Sequence, residues 1–283
     1  MREAGLIVSA DDLGLTEGHN QAIVEAHTRG ILTSASLLTG GPAFDDAVER
    51  VRSLPGLGIG VHLTLLEGRP VLPAGAVPDL VDASGAFGLS WGRLFARLAA
   101  GRVRIEQVRR EWRAQIERAL VTGLNVTHLD SHKHIHMHPI LLGVALALAA
   151  EFGLRRMRLT RPVRLTAGAK PAVLGVLAVW ARRRAQWRGV WSPEGLLGLE
   201  ASGRMTRARV LAALDRPWSG TRELMMHPAY PSLVLDRLLA GGYDWIAEYQ
   251  FEEELATLQD EGVRARLEEL QVRLVNYGAS EAI

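Results

Sequence analysis

Apolar residues along this chain fall into two alternating kinds of run: short continuous stretches, and longer ones with helical spacing. Leu6-Ile-Val-Ser9 is of the first kind and predicts a buried strand. A helix follows from a Thr16 cap to Arg29, with Ile23, Val24 and Ala26 among its apolar positions and Gly30 as its stop. Thr33–Leu38 predicts the next strand, Ala43–Ser53 a helix closed by Pro55-Gly56, and Gly58–Leu65 a strand that carries His62. Residues 66–90 are rich in Gly and Pro and predict a long loop, which in a compact domain is usually functional. Helices are expected over Ser90–Ala100 and Ile105–Val121, the second with Val108, Trp112, Ile116 and Leu120 at helical spacing. Leu124–Leu129 reads as a strand, and Pro139 opens a helix that runs to Phe152 before Gly153. Arg156–Leu159, Glu223–Met226 and Val272–Val275 are strand-like, with helices from about Phe251 to Leu270.

Repeated strand-then-helix units imply a parallel sheet. The 283 residues suit one α/β domain over 1–283, a TIM-like (β/α) barrel that is distorted or incomplete. Active sites of such barrels gather at the carboxyl ends of strands. Asp11 and Asp12, His62, Asp130 and His132, and His227 each fall at such an end. His128 to His138 also holds five of the chain's nine histidines. On a strand continued through that stretch, His128, Asp130, His132, His134, His136 and His138 would share one face. More than one would then point into a common pocket, with others as outer partners and His138, before Pro139, as a helix cap.

Composition narrows the chemistry. With no cysteine, disulfides and thiolate sites are excluded, and any metal must be held by His and Asp or Glu. Leu6–Ser9 is too short for the core of a signal peptide, and no apolar run approaches the ~20 residues of a membrane span, so a cytoplasmic protein is the expectation. The formal net charge of +2 hides an asymmetry. Ten Arg or Lys and no Asp or Glu lie between Arg155 and Pro193. A basic patch implies an anionic neighbour, membrane or nucleic acid, or else only a solvated face. Within it, Ala172–Ala181 is apolar and Trp-bearing, and Arg182-Arg183-Arg184, Trp187 and Arg188 follow. An interfacial helix needs that pattern, although a barrel helix with a buried face looks similar. The segment at about 160–190 is therefore read as a basic apolar helix, with Lys170–Arg188 in peripheral contact with the inner membrane surface and no nucleic-acid partner.

A catalytic site of the zinc type uses three N or O ligands and keeps one position open. Asp12, His62 and His132 would supply these ligands, Asp11 would be the base that takes a proton from water, and His227 would protonate a departing amine. Taken singly the elements are weak: Asp is common in such turns, His62 could be a satisfied core histidine, and His227-Pro228 says little. Asp11 and Asp12 also point opposite ways on a regular strand, so both serve one site only if the backbone turns there. A two-metal phosphoesterase and a non-catalytic sugar- or lipid-binding barrel are the alternatives.

Ile7-Val-Ser-Ala-Asp-Asp-Leu-Gly14, Gly30-Ile-Leu-Thr-Ser34, Gly60-Val-His-Leu63, Thr127-His-Leu-Asp-Ser-His-Lys-His-Ile-His136 and Met226-His-Pro228 together resemble the YdjC-like carbohydrate deacetylase family. Leu57–Leu72 and Val77–Asp82 look closest to its hopanoid-biosynthesis-associated subgroup, HpnK. The resemblance implies a distorted TIM-like barrel, often dimeric, that removes acetyl from an N-acetylated sugar. It implies one divalent metal ion, Mg²⁺ or Zn²⁺, on Asp12, His62 and His132, with Asp11 as base. The subgroup implies a glycosylated hopanoid lipid as substrate. Leu13 stands where the family usually has Phe, a departure expected to alter the pocket wall.

Overall fold

From Ala4 to Leu13 the chain forms its longest strand, buried at nine of ten positions. Burial on both faces is why Leu6–Ser9 lacks alternation, as in other parallel sheets. The computed structural model describes residues 4–161, 169–215, 217–241 and 243–279, the side chains of 169–176 and 240 aside. The chain runs through β1 (Ala4–Leu13), α1 (Glu17–Arg29), β2 (Ser34–Leu37), α2 (Phe44–Val51) and β3 (Gly58–Leu63). A long loop then leads to α3 (Trp91–Ala99), α4 (Ile105–Leu120), β4 (Val126–Ser131) and α5 (Pro139–Glu151). The second half carries α6 (Ala169–Trp187), β5 (Leu196–Leu197), α7 (Arg207–Leu214), β6 (Gly220–Met226) and α8 (Leu233–Ala240). It closes with α9 (Phe251–Leu258), α10 (Glu261–Glu269) and β7 (Arg273–Leu274).

The strands form one parallel sheet in the order β4-β3-β2-β1-β6-β5, with β7 against β1. It curls into a half-barrel, a distorted TIM-like barrel in one α/β domain. Arg156–Leu159 is not the regular strand its pattern predicts. The stretch makes two isolated bridges, Met157 to Leu129 and Arg156 to Trp191, and turns the Arg158 side chain inward to ion pairs.

The two larger cores pack helices against the sheet. Trp112, Val108 and Ile116 of α4 anchor one, beneath α3 and α5. Ile23, Ala26, Leu37 and Val263 belong to the other, under α1, α2 and α10. The helix starts follow from their caps: the Thr16 hydroxyl accepts from His19 N, and the Ser90 hydroxyl accepts from Arg93 N. α4 also buries a polar row, Gln107, Glu111 and Gln115, spaced by four residues along one face. Gln115 pairs with the Thr64 backbone, Glu111 accepts from Val71 N and Leu72 N, and Gln107 accepts from Asp79 N. The predicted loop of 66–90 is thus clamped to α4 by its backbone. No helix among the described residues is long and apolar enough to cross a membrane.

Candidate active site

Five residues singled out in the sequence meet at the carboxyl end of the half-barrel. Asp11 and Asp12 end β1, His62 lies in β3, and His132 and His227 directly follow β4 and β6. Asp12 takes a left-handed backbone at φ 66°, and the register of β1 against β2 shifts between Ala10 and Leu13. That turn is what two adjacent carboxylates need to face one site. Gly14 follows at φ 92°, its N–H held by Asn20 Oδ1 at 2.7 Å, which accounts for the glycine in Asp-Asp-Leu-Gly.

Asp12 Oδ1 is buried without a well-formed hydrogen bond. Its neighbours are His132 Nδ1 at 3.3 Å and His62 Nε2 at 3.7 Å. Each ring is fixed from its far side: His62 Nδ1 donates to Asp130 Oδ1 at 2.9 Å, and His132 Nε2 donates to Glu67 Oε2 at 2.8 Å. In those tautomers both inner nitrogens turn lone pairs toward an anionic oxygen. Three electron-rich atoms within 4.8 Å of one another repel unless a cation or a proton lies among them. An orphaned carboxylate oxygen, two imidazoles and carboxylates behind both rings fit a divalent cation. Burial works to raise the Asp12 carboxyl, but its close neighbour His132, then His62 and His227, hold it well below the usual range. For His132, burial is outweighed by Asp12 and Glu67, and its pKa rises to about 9.

Behind this cradle lies Arg158, fully buried. Its guanidinium grips both oxygens of Asp11 at 2.8 Å and reaches Asp130 Oδ2 at 2.7 Å. It also donates to Glu223 Oε1, whose other oxygen accepts from the Tyr277 hydroxyl at 2.7 Å. Asp11, His62 and Asp130 make a second group of converging ligand atoms. The Arg158 cation already bridges its two carboxylates, so the arrangement favours one metal position over two. His227 Nε2 lies 3.9 Å from Asp11 Oδ2, and its Nδ1 3.7 Å from Glu254 Oε2. Burial lowers the His227 pKa, but Glu254 and then Asp11 and Asp12 outweigh it, for a net rise.

The histidine run does not share one face. β4 ends at Ser131, and a 3-10 turn over His132–Met137 follows, with Lys133 at φ 52° and His134 at φ 54°. Two left-handed residues in succession break the alternation, so only His132 reaches the cradle. His128 shares the Asp130 face of β4 but lies deeper, stacked on Tyr277 at 3.7 Å, its pKa lowered to about 3 by burial. A Cβ on Gly60 would stand 2.3 Å from that ring, so β3 needs glycine there. His136 is a buttress between the Ser131 hydroxyl and the Arg158 carbonyl. His138 stands at the N-cap of α5 but makes no side-chain cap; its ring packs on Phe95. Leu13 does not wall the pocket either, being buried in the core, while Leu15 lines the cleft.

Glu67, Arg158, Glu254 and Trp245 went unread in the sequence. Glu67 holds His132, Lys133 and Trp245 Nε1 together, and the only signal for it was its place in the long loop. Trp245 and Tyr243 line a narrow cleft that opens beside Asp12 and His132. Of Lys170–Arg188, the Lys170 side chain lies outside the described residues, as does Arg164.

A family model described as YdjC-like protein matches residues 5–269. The chain belongs to the YdjC-like family. A relative, the carbohydrate deacetylase of Geobacillus stearothermophilus, is 36% identical over 96% of both chains. The chitooligosaccharide deacetylase of Yersinia enterocolitica is 31% identical, over 96% of this chain and 97% of its own. Among solved structures, an Enterococcus faecalis V583 protein described as a candidate for cellobiose-phosphate cleavage superposes with a TM-score of 0.79, at 31% identity over 98% of both chains.

Proposed function

We propose that this YdjC-like chain hydrolyses the acetamide of an N-acetylated carbohydrate, releasing acetate and a free amine. The convergence of Asp12 Oδ1, His62 Nε2 and His132 Nδ1 beside Asp11 and His227 carries the reading. The names of the Geobacillus and Yersinia relatives point to the same chemistry. Asp12, His62 and His132 would hold a divalent cation, which would supply Lewis acidity and a water acidic enough to lose a proton near neutrality. Two imidazoles and one carboxylate suit Zn²⁺ better than Mg²⁺, which prefers an all-oxygen shell.

The chain's own groups do the rest. Asp11, held at both oxygens by Arg158, accepts the proton of the attacking water. His227 enters the cycle protonated, as its raised pKa favours, and gives its proton to the departing amine. Asp130 and Glu67 keep the two ligand rings in the tautomers that leave their inner nitrogens open. The aromatic side of the cleft, Tyr243 and Trp245, gives a sugar ring an apolar face to lie against. At finer grain the substrate is a glycolipid, a glycosylated hopanoid in the subgroup reading, which the exposed tryptophans and arginines of α6 support.

The test is acetate release from N-acetylglucosamine, chitobiose and a glycosyl-hopanoid by the metal-loaded chain and its Asp11→Asn variant. Turnover should fall by about 10²–10⁴-fold in the variant with metal content unchanged. A metal-replete wild-type chain that releases no acetate from any of the three refutes the proposal.

A further inference from the structure

The C-terminal half of α6 presents two opposite faces. Ala178, Ala181 and Ala185 are buried against the body of the protein. The other side carries Val179 and Trp180, 48% and 37% exposed, and Trp187, 88% exposed. Arg183, Arg184 and Arg188 are exposed among them. With 3.6 residues per turn, positions 180, 183, 184 and 187 share one stripe, so tryptophan and arginine interleave there. Arg184 lies over the Trp180 ring at 5.5 Å. Arg155 extends the charge, its Nη1 3.5 Å from where a Cβ on Gly189 would stand. No acidic residue occurs between Arg155 and Pro193.

A protein otherwise mildly acidic gains nothing in its own fold from indoles left in water beside arginines. We infer that this stripe docks on an anionic lipid surface, with Trp180 and Trp187 at the headgroup level and Arg183, Arg184 and Arg188 on lipid phosphates. Charge complementarity selects an anionic partner. The aliphatic Val179 and the two indoles on one short helix face select a lipid interface over a nucleic acid, whose backbone needs a longer cationic track. α6 packs on α5 and on the His132–Met137 turn, the turn that begins with His132 of the cradle. The inference stands apart from the catalytic proposal, because its readout is binding.

The experiment is co-sedimentation of the full chain with vesicles of phosphatidylcholine alone and of phosphatidylcholine mixed with phosphatidylglycerol. Binding is expected to the mixture only, and to weaken with added salt. An Arg183→Gln/Arg184→Gln/Arg188→Gln variant should bind on the order of a hundredfold more weakly, since each arginine contributes about fivefold. Trp187→Ser should bind more weakly too. Both variants should keep the wild-type Tm and metal content, because every altered side chain is exposed. Equal binding by the arginine variant overturns the inference, and so does failure of the wild type to bind the anionic vesicles. Arginine-dependent binding to DNA or RNA without vesicle binding also overturns it.

Discussion

Arg158 sits fully buried among three carboxylates, Asp11, Asp130 and Glu223, and pairs with all of them. Arg158→Met should cost about 3–5 kcal/mol in chemical denaturation, because it strands buried charge. An Arg158→Met chain as stable as wild type would mean that those carboxylates take up protons at little cost. Glu67 acts at a distance through His132, and its loss shows in the metal. Glu67→Gln should weaken metal affinity by about 10–100-fold in calorimetry, with Asp11→Asn as the control that retains it. The sequence displayed the residues that face the cradle, since Asp-Asp and the histidine run are dense in ligand chemistry. It concealed the ones that hold them. Arg158 reads as one more cation in a basic run, and its partner Asp11 is 147 residues away. Glu67 reads as an ordinary loop acid.

The row Gln107, Glu111 and Gln115 makes α4 an anchor as well as a core helix. Glu111→Ala should release the backbone around Val71 and Leu72. Faster hydrogen exchange there and a raised KM, with kcat less affected, are the expected signs. Unchanged exchange in that segment would show the loop to be held by other contacts. Gly60→Ala forces a methyl into the His128 ring and should lower Tm by several degrees. Long elements with strong periodicity, such as α1, α4 and α5, were legible in the sequence to within a few residues. β5, α7 and α8 were not; shortness explains the two-residue β5 alone, since the eight-residue α2 was legible. The continuation of β4 was misjudged because alternation of side chains says nothing of a left-handed turn. Lys133 does not announce one, and a histidine such as His134 does so only weakly.

At the scale of the whole molecule, the repeated strand–helix rhythm sufficed to place the chain among parallel (β/α) barrels. The gap spanned by 156–158 follows from long-range ion pairing that no local pattern records. Stability and metal binding are linked through His132. Its pKa in the fold, about 9, exceeds the ordinary histidine value of 6.5, so this contribution is full below 6.5 and lost as pH rises through 9. The metal-free chain should therefore lose Tm between pH 7 and pH 9.5, while the loaded chain loses less. Metal affinity should rise by up to about tenfold per pH unit from pH 7 and level off above pH 9, with close to one proton released on binding near pH 7. A pH-independent affinity would show that His132 is already neutral. Among the described residues, non-glycine left-handed conformations occur only at Asp12, Lys133, His134 and Gln271. Three of those four belong to the turns that deliver Asp12 and His132 to the cradle, and each costs about 1–2 kcal/mol. A search for hardier variants that scored melting temperature alone would settle on these positions first, trading them for glycine. At Lys133 and His134 that trade leaves the cradle's ligand atoms in place, but at Asp12 it removes Oδ1, so the hardier chain would be the one without its candidate cation site.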